Sequence, residues 1–225
     1  MRFYRSPLTQ RPARLGCSIL ALVSFVALAA SSDASASGLD DALAGRSAIE
    51  EHRYDDALRL FTRAINSGEL SPRDLAGAHY GRGIAYAEKQ NYNLAIAEFG
   101  EMIRFRPDYS PAYFNRGLAY VYTEKYDEAE RDLSKAIELT PGYQEAYVNR
   151  GTVYYLTKQY EKAITDFKTA IRLNPQDPIS YNKIGIAYVA SGKWIWSCGN
   201  FKRAIELDPD FQDAIHNYRD QCSQR

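Results

Sequence analysis

Residues 110–143 read SPAYFNRGLAYVYTEKYDEAERDLSKAIELTPGY, and the same pattern returns every 34 residues on either side. Gly117 has counterparts at Gly83, Gly151 and Gly185. Tyr120 has Tyr86, Tyr154 and Tyr188, and Tyr126 has Tyr92, Tyr160 and Trp194. Ala129 is matched by Ala95, Ala163 and Ser197; Leu133 by Phe99, Phe167 and Phe201; Pro141 by Pro107, Pro175 and Pro209. A fixed period of this length predicts a solenoid, in which each unit is stable only against its neighbours.

Within the quoted stretch the residues predict two helices. The first runs from Pro111, suited to a first helical turn because its missing N–H would be unpaired there anyway, to about Glu124. The second starts near Tyr126-Asp127-Glu128, where the acids favour a helix N-terminus. It stops at Leu139, because the residue before Pro141 is pushed out of the helical region. Gly117 and Ala129 are the small residues that let the two helices approach, with Tyr113, Tyr120, Tyr126 and Leu133 packed around the contact. Arg82, Arg116 and Arg150 precede the glycine, while Glu98, Asp132 and Asp166 precede the Phe/Leu position. Both partners are missing together at Ala44/Leu60 and at Ile184/Asn200. This joint presence predicts an Arg–carboxylate pair between the helices of each central unit.

The pattern resembles the tetratricopeptide repeat family. Units at 76–109, 110–143, 144–177 and 178–211 carry it. A divergent unit at 38–71 keeps Gly45, Tyr54, Ala57, Phe61 and Ala64, and four extra residues around Gly68-Glu69-Leu70-Ser71 follow it. Residues 212–223 read as a capping helix. The expected fold is all-α, a right-handed α-solenoid of helix-turn-helix units.

The N-terminus reads differently. Arg2, Arg5, Arg11 and Arg14 precede an apolar run from Leu15 to Ala30, followed by Ala34-Ser35-Ala36. This order matches a secretory signal peptide over 1–36, with cleavage expected after Ala36 and Ala29 the next choice. The run is shorter than a spanning helix needs. Cys17 lies at the start of the run rather than after it, which argues against lipoprotein processing. Formal net charge is zero for the whole chain and about −3 without residues 1–36, so no general affinity for nucleic acid follows. A periplasmic or secreted bacterial protein is expected, in a compartment that permits disulfides.

The resemblance implies a concave groove lined by the first helices. Here that face carries Phe114, Asn115, Leu118, Asn149, Thr152 and Tyr155. Asparagines at the register of Asn115, Asn149 and Asn217 are used by peptide-gripping relatives to bond a peptide backbone, which needs both a donor and an acceptor. Solvation of the groove is the alternative role. The basic places of relatives that clamp a C-terminal carboxylate hold Tyr80, Ile84 and Glu145, so no such clamp is expected.

Two further features stand out. Ile195 and Trp196 occupy places that are mostly charged in other units, and predict either an exposed docking patch, as for a homodimer, or a distorted segment folded under the cap. Cys198 and Cys222 fall at similar depth on helices expected to be antiparallel, so a disulfide is expected if their α-carbons come within about 7 Å.

The residues form no catalytic constellation. Gly81-Arg82-Gly83 lies inside a helical pattern with no strand before it. His52, His79 and His216 are scattered, with His79 expected as a packing residue, and no two cysteines have metal spacing. The expectation is a non-enzymatic adaptor for a protein or extended peptide, without cofactor, metal or nucleic acid. Membrane contact is expected only through an uncleaved N-terminal segment. A self-associating structural subunit is the alternative.

Overall fold

The computed structural model describes residues 37–222. The expected signal segment, its cleavage sites and Cys17 lie outside the described residues. Among those described, every regular element is an α-helix.

The chain divides into two compact units, the first ending at Pro107 and the second starting at Asp108. The first unit contains α1 (Gly38–Glu50), α2 (Tyr54–Asn66), α3 (Pro72–Glu88) and α4 (Tyr92–Phe105). The second contains α5 (Ser110–Tyr122), α6 (Tyr126–Leu139), α7 (Gln144–Leu156), α8 (Tyr160–Leu173), α9 (Pro178–Ala190), α10 (Trp194–Leu207) and α11 (Gln212–Cys222). Within each unit, consecutive helices pack in pairs and each pair packs on the next.

Local sequence chemistry sets the boundaries. Ser37 opens α1 with a capping box closed by Asp40, which satisfies two backbone donors that the helix itself cannot. Ser71 caps α3 by accepting from the Asp74 N–H, and Pro72 fills its first turn. The four extra residues of the first repeat are absorbed here: α3 has 17 residues where α1, α5, α7 and α9 have 13. α5 ends at Tyr122, two residues before the expected Glu124, because Glu124 turns to φ 58°. His52, Gln90 and Lys158 adopt the same left-handed conformation at the equivalent turns, and Gly192 does so in the last repeat.

The repeated columns are the core. Phe61, Phe99, Phe167, Phe201 and Leu133 are the largest fully buried side chains, together with the fully buried Ala57, Ala95, Ala129 and Ala163. Each such large side chain contributes roughly 1.5–3 kcal/mol by leaving water. The glycines face them. A Cβ at Gly151 would sit 2.8 Å from the Phe167 ring, and one at Gly185 would sit 2.5 Å from Phe201. Gly therefore permits the ring of the second helix to lie on the backbone of the first.

Arginine–carboxylate pairs tie these helices together. Arg116 bonds Asp132 at 2.6 and 2.9 Å, and Arg150 bonds Asp166 at 2.8 and 2.9 Å, both two-pronged. Arg82 reaches Glu98 by one bond of 2.8 Å. The second carboxylate oxygen of Glu98 takes a 2.8 Å bond with His79 Nδ1. His79, expected only to pack, thus has a polar partner while also stacking on Phe105. The first repeat lacks the column pair and uses another, Asp41 to Arg63.

Candidate functional site

In the second unit the first helices of successive repeats touch one another: α5 meets α7, α7 meets α9, and α11 meets α9. The residues between them form one register of 34-residue steps, Asn115, Asn149, Lys183 and Asn217, beside a second register of Phe114, Val148, Asn182 and His216.

The six residues expected on this face differ in accessibility. Phe114, Asn115, Leu118 and Thr152 are buried. Phe114 packs against Tyr143 with the rings tilted and 4.7 Å between their centres, and Thr152 donates to the Val148 carbonyl at 2.8 Å within α7. Asn149 and Tyr155 are half-buried. Asn149 donates through Nδ2 to the Glu145 carbonyl one turn back, at 2.7 Å, which leaves its side-chain oxygen as the acceptor. The Tyr155 ring packs on Tyr160 at 5.6 Å, and burial raises its phenol above the usual range. Tyr80, Ile84 and Ala87 belong to α3 in the first unit; Ile84 and Ala87 are buried there and Tyr80 packs near Phe99.

Polar bridges link neighbouring first helices, among them Gln144 of α7, which donates to Ser180 Oγ of α9 at 3.2 Å. Asn217 of α11 donates to the Asn182 side-chain oxygen of α9 at 2.9 Å. Lys183 of α9 donates to Thr152 Oγ1 of α7 at 3.2 Å. Burial lowers the Lys183 ammonium to about 8, against the opposing pull of Asp177 and Asp213. Asp177 does not form an ion pair with it. Its carboxylate instead caps α9 at the Ile179 and Ser180 N–H groups and accepts from Gln144. The sequence register located Lys183 but showed no role for it, because its burial depends on α7 and α11 closing around it.

The face therefore offers backbone-type donors and acceptors set among aromatic and aliphatic side chains. Among the described residues no group of three or more His, Cys, Asp or Glu side chains could hold a metal ion.

Away from this face, α10 is a regular helix from Trp194 onward. Ile195 is 91% exposed and Trp196 63%, with Trp196 at 6.5 Å from the Tyr188 ring. They are not folded under the cap. Cys198 and Cys222 are joined by a disulfide, with α-carbons 5.8 Å apart, fastening α11 to α10.

Comparisons with known proteins place these observations. Models described as tetratricopeptide repeat match residues 43–110 and 110–143, and one described as TPR repeat matches 151–192. No curated protein matches the chain. Among solved structures, a MamA protein superposes with a TM-score of 0.69 at 22% identity, covering 76% of this chain and 92% of its own. YrrB, described as a TPR protein with an unusual peptide-binding site, gives 0.68 at 20% identity over 80% of this chain and 90% of its own. TTC0263, a TPR protein of Thermus thermophilus, gives 0.62 at 22% identity over 82% and 98%. At these identities the likeness establishes the fold.

Proposed function

The chain belongs to the tetratricopeptide repeat family, and on that premise we propose that it is an adaptor of the bacterial cell envelope. It captures a protein partner through an extended peptide laid on the face of α5, α7, α9 and α11. A protein-interaction scaffold is the function common to this fold. The finer reading is supported by one observation above all: asparagine stands at the same register on α5, α7 and α11, with Lys183 in that place on α9, and Asn149 is half-buried with its oxygen open to a donor. An extended peptide repeats its N–H and C=O groups, so a repeated amide suits it. YrrB, which has a similar fold, is described as peptide-binding. The envelope location rests on the Arg-flanked apolar run before residue 37.

The test is photocrosslinking from position 155 in intact cells, followed by mass identification of the attached peptide. That peptide, synthesised, should bind the purified protein and lose affinity about tenfold when Asn149 and Tyr155 are both replaced by Ala. Unchanged affinity in the double variant overturns the proposed face.

A further inference from the structure

The first turn of α10 presents Trp194, Ile195 and Trp196 in succession, 48%, 91% and 63% exposed. The last two occupy the places of Asp127-Glu128 in α6 and Glu161-Lys162 in α8. Side chains this exposed add little to the core, and large apolar groups clustered on a surface mark an interaction site. The rim of the cluster is basic. Lys193 directly precedes Trp194, and Lys158 and Lys162 lie with Ala190 and Ser191 around a shallow depression at the α9–α10 turn. Lys202 stands seven residues beyond Ile195, two turns along the same helix face. All four are exposed. Glu161, the acid in this rim, is held by Lys193 at 2.7 Å.

We propose that this edge docks on an anionic lipid bilayer, with the Trp-Ile-Trp turn seated among the headgroups and the lysines on lipid phosphates. Tryptophan favours the membrane–water interface, lysine stems reach past apolar groups to place their charge in the polar layer, and each lysine near an anionic leaflet adds attraction. A second copy of the chain fits less well. In a two-fold contact the same patch meets itself, so the lysines of one copy would oppose those of the other. Such docking needs no spanning segment, and among the described residues no helix is long and apolar enough to cross a membrane. It uses a different surface from the proposed peptide face.

The chain has two tryptophans, Trp194 and Trp196, beside 18 tyrosines, so fluorescence excited selectively at tryptophan, beyond the tyrosine absorption band, reports this patch. The full chain is mixed with vesicles of phosphatidylcholine alone or containing about a third phosphatidylglycerol. The expected result is a blue shift with the anionic vesicles only, quenched by bromine-labelled acyl chains. Ile195→Asp, at an exposed site that leaves both tryptophans, should weaken the partition at least about tenfold. Lys158→Glu with Lys162→Glu should weaken it too. Unchanged emission on anionic vesicles overturns the proposal, even where the protein floats with them through its N-terminal run. An equal shift on neutral vesicles overturns it, as does a vesicle-free shift that grows with protein concentration and marks a second copy.

Discussion

Arg150 holds Asp166 by two parallel bonds, Nε to Oδ2 at 2.8 Å and Nη2 to Oδ1 at 2.9 Å, across the α7–α8 pair. Its third nitrogen donates to Ser134 of the preceding repeat at 3.0 Å, so one side chain binds both helices of its own repeat to the one before. Removing the acid leaves this guanidinium without its carboxylate in a mostly buried place. Asp166→Ala should cost about 2 kcal/mol, measured by urea unfolding, whereas Asp56→Ala, at solvent-exposed pairs, should move the urea midpoint far less.

Glycine at the first-helix column has a steric role that can be tested within one repeat. Gly151→Ala drives a methyl to 2.8 Å from the Phe167 ring, and should cost about 1–3 kcal/mol. Gly142→Ala, with nothing within 4 Å, should leave the urea midpoint nearly unchanged. Ala129→Leu, at a fully buried site, should behave as Gly151→Ala does.

The disulfide closes 24 residues of chain around the last repeat and its cap. Cys222→Ser should lower stability by about 3 kcal/mol on loop-closure grounds, and hydrogen exchange should speed up first in α11. A reductant should reproduce the shift in wild type and do nothing to the variant.

Lys183 gives stability a pH dependence in the alkaline range. Its ammonium releases a proton near pH 8 in the folded chain because burial disfavours the charge, and near its ordinary 10.5 when unfolded. The unfolded chain therefore holds more protons between those values, and stability rises with pH across that window. The rise should be missing in Lys183→Met, which should also be more stable than wild type at neutral pH.

Glu98 acts at the acid end. Burial pushes its carboxyl up, but the hydrogen bonds from His79 and Arg82 outweigh this and hold it below the ordinary 4.5. Its contribution is complete above pH 4.5 and is lost as pH falls through the lower folded value. Glu98→Gln should flatten that part of the acid unfolding curve.

The 34-residue columns were enough to determine the helix-pair architecture and the Arg–carboxylate partners, since these depend on residues whose spacing within a repeat never changes; they marked the glycine as a place of close approach, but the structure showed that the side chain lying on it is that of the Phe/Leu column. Helix boundaries within the quoted repeat were legible from local proline and acidic residues, to within two residues at the end of α5. Only the tertiary structure decided what the packing of one repeat on another controls. It buried Phe114, Asn115, Leu118 and Thr152 on a face read as open, gave His79 a carboxylate partner, and lowered the charge affinity of Lys183. It also left Ile195 in water and brought Cys198 to Cys222. Period and residue type show which side of a helix looks inward; how far water is excluded there depends on the neighbouring helices, which lie a full repeat away in the chain.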